Sequence, residues 1–172
     1  MNQNDVLICK LNQAMDLLEE IKDKLSSRTN NEKTQKINWD LREKLIFGPN
    51  IDYNAENYKL NGGVKHFDKM KPDTADTLIS FGFLDRYETQ NNSPTVEEFL
   101  KFIDDHPEED WYLHGYSVSP ERKDVRVSIE GIGCKNCLNP KTVIDFLKLN
   151  RVDYCADDIR AENDGTLYCW YD

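Results

Sequence analysis

The chain has 172 residues and a net charge of −10, with 32 acidic against 22 basic side chains. A nucleic-acid binder needs a basic surface to displace counterions from phosphates, so direct DNA or RNA binding is disfavoured. Asp5 and Lys10 interrupt the first apolar residues, so no secretory leader is read, and no apolar run approaches the ~20 residues of a membrane helix. The five cysteines are therefore expected as reduced thiols in a cytoplasmic protein. Hydrophobic residues make up 38%, which is low for a wholly globular chain and implies that part of the length is not core.

Residues 1–28 carry a helical period. Ile8, Leu11, Met15, Leu18 and Leu25 alternate in steps of three and four, with Lys22 in the one missing place. This is an a/d seam suited to self-association or to docking on another apolar surface. The stretch "SSRTNNEKTQK" is polar and free of aromatics, so residues 29–36 read as a flexible linker. Residues 37–92 read as a small helical subdomain. A helix from Asp40 is stopped by Gly48-Pro49, and another opens at Pro72 or Asp73 and closes before Gly82. The turn-rich segment between them has room for a small hairpin.

The region 93–172 contains an internal repeat. Thr95-Val96-Glu97-Glu98-Phe99-Leu100-Lys101 matches Thr142-Val143-Ile144-Asp145-Phe146-Leu147-Lys148 at five of seven positions. Each segment follows a capping residue and a proline, and each presents an apolar helical stripe. A hairpin follows each helix. In the second, Asn163-Asp164-Gly165 supplies a loop with glycine in the left-handed position, which pairs Ile159 with Cys169 and Arg160 with Tyr168. In the first, a loop over Pro120 to Lys123 pairs Val118 with Val125 and His114 with Ile129, which places His114 on the apolar face. The expected fold is α+β: a duplicated αββ unit forming a four-stranded antiparallel sheet in the order 1-2-4-3, with both helices on one face. This is a ferredoxin-like chain with its first strand moved to the end.

Chemistry is sparse. Cys134 and Cys137 have C-x-x-C spacing, but Cys155 and Cys169 fall at the other end of the expected sheet, so four thiolates do not meet at one metal. No metal, cofactor or catalytic residue is assigned; Cys134 and Cys137 come nearest to a metal or thiol site. Lys135 and Asn136, in "GIGCKN" before the helix at Pro140, are candidates for an anion-binding loop. The outer sheet face is the principal binding candidate, through Arg126, Ser128, Glu130, Arg160, Tyr168 and Trp170; because exposed apolar patches commonly mark contacts, the 37–92 subdomain or a second chain is expected to cover it. The sequence thus points to a non-catalytic protein-binding or oligomerising module. Its partner would be a protein or a second copy engaged through the N-terminal helix, with no membrane contact. The alternative is an acidic inhibitor that mimics nucleic acid at a basic enzyme.

Overall fold

A computed structural model describes residues 38–172; the heptad seam and the linker lie outside the described residues. Helix α1 (Trp39–Phe47) stops at Gly48, whose φ of +113° suits glycine. A short α2 (Glu56–Lys59) follows, then strand β1 (Val64–Met70). Helix α3 (Pro72–Ser80) opens on proline, which fixes φ where no amide partner is required. Helix α4 (Val96–Asp104) has a complete capping box: Thr95 accepts from the Glu98 amide, and the Glu98 carboxylate accepts from that of Thr95. Strands β2 (Asp110–Val118) and β3 (Val127–Lys135) form a hairpin. Helix α5 (Pro140–Leu147) is capped by Asn139 and continues into a π-type turn, Lys148–Asp153. Strands β4 (Asp158–Ala161) and β5 (Leu167–Trp170) complete the chain.

The protein is α+β, with a five-stranded antiparallel sheet in the order β1-β2-β3-β5-β4. The 37–92 segment holds helices close to the expected positions and also gives the sheet its extra strand, β1. That strand alternates weakly and lies at an edge, where Lys65, His66, Asp68 and Lys69 discourage further pairing. Helix α1 packs on β1 through Phe47 and Phe67, and α4 meets α5 through Phe102 and Phe146. Trp111, Leu113, Ile132, Cys134, Leu167, Cys169 and Tyr171 line the helix side of the sheet. Trp39–Asp172 form one compact unit.

The two hairpins differ from one another in how they meet expectation. The second pairs Ile159 with Cys169 and Arg160 with Tyr168 around Gly165, at φ +82°, as its turn chemistry dictates. The first is shifted by one residue, so that Ser117 pairs with Val127 and Tyr116 with Ser128. A bulge then leaves Glu130 unpaired and sets His114 against Gly131. The shift puts Leu113 on the helix side and His114 on the outer side, the reverse of the expected faces. The cysteine placement also differs: Cys155 is exposed, at φ +55°, ahead of β4, and Cys169 is buried beside Ile132, two residues along β3 from Cys134, rather than at the far end of the sheet.

Candidate functional site

The outer face is built on two glycines. Gly131 and Gly133 leave shallow troughs in β3, into which His114 and Tyr112 lie from β2. A Cβ on residue 131 would stand 2.6 Å from His114 Nε2, and one on residue 133 would overlap the Tyr112 ring. Tyr168 reaches across from β5 and stacks on His114, with centroids 4.5 Å apart and planes at 25°. Arg160 on β4 lies over Tyr168 at 5.4 Å and is held by Asp158 at 2.6 Å. Tyr168 and Trp170 remain partly exposed beside Arg160. Glu130, at the bulge, is nearly buried; His66 Nδ1 lies 3.6 Å from its carboxylate, and the Trp170 side chain donates to it. Burial raises the Glu130 pKa, with His66 and Trp170 opposing.

The other half of this face is covered by the chain itself. The loop between α3 and α4 brings Gln90 to Tyr116 and Ser128, whose hydroxyls lie 3.0 and 3.3 Å from its Oε1. Glu88 pairs with Arg126 at 3.1 Å, and Arg126 donates to the Tyr116 hydroxyl at 2.8 Å. Burial raises the Glu88 pKa, against the pull of Ser128 and Arg126. Of the six expected outer-face residues, Arg126 and Ser128 therefore lie at this covered end and Glu130 at the boundary. Arg160, Tyr168 and Trp170 gather at the open end.

The C-x-x-C pair is structural in its surroundings. Cys134 belongs to β3, not to the loop beyond it, and is fully buried between Trp111 and Leu167. Cys137 is 2% exposed and faces Glu109 and Cys134. Burial raises both thiols, Cys134 to about 12, so neither is an activated thiolate at neutral pH. Among the described residues no group of three or more His, Cys, Asp or Glu side chains could hold a metal ion. The segment at Lys135 and Asn136 is closed by the second hairpin: the Cys137 amide donates to Gly165 O at 2.8 Å, and the Lys141 amide to Asn139 Oδ1 at 3.0 Å. Those amides are engaged within the protein, and "GIG" is strand rather than phosphate loop.

Sequence reasoning missed a buried polar cluster. Arg42 and Glu43 on α1 are each 1% exposed. The Arg42 guanidinium donates to Glu43 Oε1 at 3.2 Å, Tyr58 Oη at 3.1 Å and Val118 O at 3.0 Å. Tyr58 also donates to Glu43 and contacts Ser117, and Lys65 donates to Glu43 Oε2 at 3.2 Å. Burial and the Glu43 bond raise the Tyr58 pKa far above that of a free phenol. The cluster ties α1, α2, β1 and β2 together, and every charged member has an opposite charge at hand. The outer row Tyr112, His114 and Tyr116 was also missed; its signal was the two-residue spacing itself, read one register away.

No family model matches the chain, and no curated protein and no solved structure matches it. Among the described residues no helix is long and apolar enough to cross a membrane.

Proposed function

We propose that this protein is a non-catalytic binding module whose open outer face, at Tyr168, Trp170 and Arg160, receives a protein partner. The observation that carries the reading is the asymmetry of that face. One end is sealed by Glu88 and Gln90, while the other presents two partly exposed aromatic rings beside an arginine already fixed by Asp158. Tyr, Trp and Arg dominate the energetic centres of protein interfaces, because they bury much area with few rotors to freeze. The N-terminal seam is proposed to add self-association.

We read residues 93–172 as two αββ copies, a permuted ferredoxin-like arrangement that supplies a rigid platform. Two reciprocal contacts support this. Tyr154, after α5, donates to Glu98 on α4, and His106, after α4, lies 3.2 Å from Asp145 on α5. Glu98 and Asp145 are equivalent positions of the repeat. A second reading, an acidic decoy for a basic nucleic-acid enzyme, draws on the net charge and on the carboxylates of Asp73, Asp104, Glu109 and Asp110 around one cleft, in which Lys71 pairs with Asp110. It predicts binding that weakens steeply with salt.

Photo-crosslinking separates these readings. A photoreactive phenylalanine in place of Tyr168 should yield discrete adducts with a partner or a second copy. The same group in place of Leu60, 89% exposed beside α2, should yield none. Equal adducts at both sites, or none at Tyr168, would remove the outer face from the account.

A further inference from the structure

His114 is buried in a way that only its neutral form tolerates. The residue is 5% exposed, and neither ring nitrogen has a hydrogen-bond partner. A neutral imidazole ordinarily donates from one nitrogen and accepts at the other, and burying both without partners is costly. The ring stays because its surroundings are shaped for it. Gly131 leaves the space beneath Nε2, and Tyr168 stacks on the ring.

The groups around it offer little to an added charge. Strand β1 supplies Asp68, whose carboxylate favours the imidazolium but is outweighed by burial. Strand β2 supplies Tyr112, a phenol whose own ionisation burial opposes. Strand β3 supplies Gly131, with Glu130 turned toward His66 and Trp170. Strand β5 supplies Tyr168, and the Arg160 cation of β4 lies over that ring.

We propose that His114 is an acid-sensitive latch on the outer face. Neutral, it lies in the Gly131 trough against Tyr168; protonated, it leaves the trough for water and carries Tyr168 off the sheet. The proton goes to an imidazole nitrogen and no other bond changes. The latch belongs to the fold and operates whether or not the face takes a partner. Burial lowers the His114 pKa to about 4 from the ordinary imidazole value of 6.5, with Asp68 opposing. Between those values the unfolded or opened ring binds a proton that the latched ring refuses. The closed form is therefore fully favoured above pH 6.5 and loses ground as pH falls towards 4. The full loss is about 300-fold in the closing equilibrium, ten for each pH unit of difference.

The test is an NMR titration of the full chain from pH 7.5 to 3.5, following the His114 imidazole and the Tyr168 and Tyr171 rings. The latch predicts a His114 midpoint far below that of an ordinary histidine and a Tyr168 change at that midpoint. Tyr171, packed on Phe99 on the helix side, should hold its signals. His114→Phe, which keeps a flat ring and cannot ionise, should abolish the Tyr168 transition; should that variant not fold, the parent titration decides alone. A midpoint close to 6.5, a Tyr168 ring indifferent to the His114 titration, or simultaneous loss of the Tyr171 signals would each overturn the proposal.

Discussion

Replacing Glu43 with glutamine tests whether the buried polar cluster holds α1 and α2 to the sheet. The carboxylate is 1% exposed and receives Arg42, Tyr58 and Lys65. Glutamine keeps the shape and removes the charge. Arg42, also 1% exposed, is then left with Val118 O, the Tyr58 hydroxyl and the Trp39 ring, 4.9 Å from its guanidinium carbon. Arg42 Nε has no partner even in the parent. Leaving one member of a buried ion pair uncompensated costs about 3–5 kcal/mol, a large part of the 5–15 kcal/mol that stabilises a typical domain. Arg42→Met should cost less, because Glu43 keeps Lys65 and Tyr58. The double variant Arg42→Met/Glu43→Gln should lose less than the two single losses combined, since no fully buried charge is stranded and the partly exposed Lys65 can turn to water. Urea unfolding, with midpoint and slope fitted for each variant, measures all three. A Glu43→Gln loss below about 1 kcal/mol, or strictly additive losses, would refute the idea that the cluster is desolvated and coupled.

Gly131→Ala should destabilise by more than the ~1–3 kcal/mol typical of overpacking, because its Cβ would overlap the Cys169 carbonyl, a backbone atom that cannot turn aside; a thermal melt close to the parent would show the β3–β5 approach to be looser than described. Among the described cysteines, Cys155 alone is exposed, so it should react first with a thiol reagent in the native protein, and Cys134, Cys137 and Cys169 only on unfolding; peptide mass mapping that found early labelling at Cys134 or Cys137 would reopen the thiol site. Removing residues 1–36 should lower the number of chains per particle measured by light scattering while leaving the circular dichroism of the remainder; an unchanged number of chains would retire self-association through the seam.

The parts of the fold legible in sequence were those fixed by local chemistry. Asn163-Asp164-Gly165 permits one tight turn, and that turn alone sets the register and both faces of β4 and β5. The helices announced themselves through Gly48, Pro72, Gly82 and Asn139-Pro140, whereas α4 opens at Thr95 with Glu98 rather than at the expected Ser93-Pro94. The β2–β3 register was not legible, because its long connection specifies no turn type and the extra residue at Glu130 follows from packing across strands. Strand β1 was hidden because its charged residues suit an edge and blur the alternation that marks a half-buried strand. Arg42 and Glu43 illustrate a deeper limit. In sequence they look like the solvated side of a helix, and only Tyr58, Lys65 and Val118, brought from distant segments, make their burial tolerable. The candidate face was half legible: Tyr168, Trp170 and Arg160 came from the second hairpin, whereas Tyr112 and His114 lay one register away.

Quantitative capture by the open outer face tests the central claim most directly. The parent chain and a Tyr168→Ala/Trp170→Ala variant, matched in circular dichroism and melting, would be immobilised in extract of the cells that make the protein. Bound proteins would then be measured by mass spectrometry at several salt concentrations. The account predicts at least one protein retained by the parent and reduced about tenfold or more on the variant, as expected where single anchors contribute 1–2 kcal/mol each. Identical retention by the two chains would contradict it.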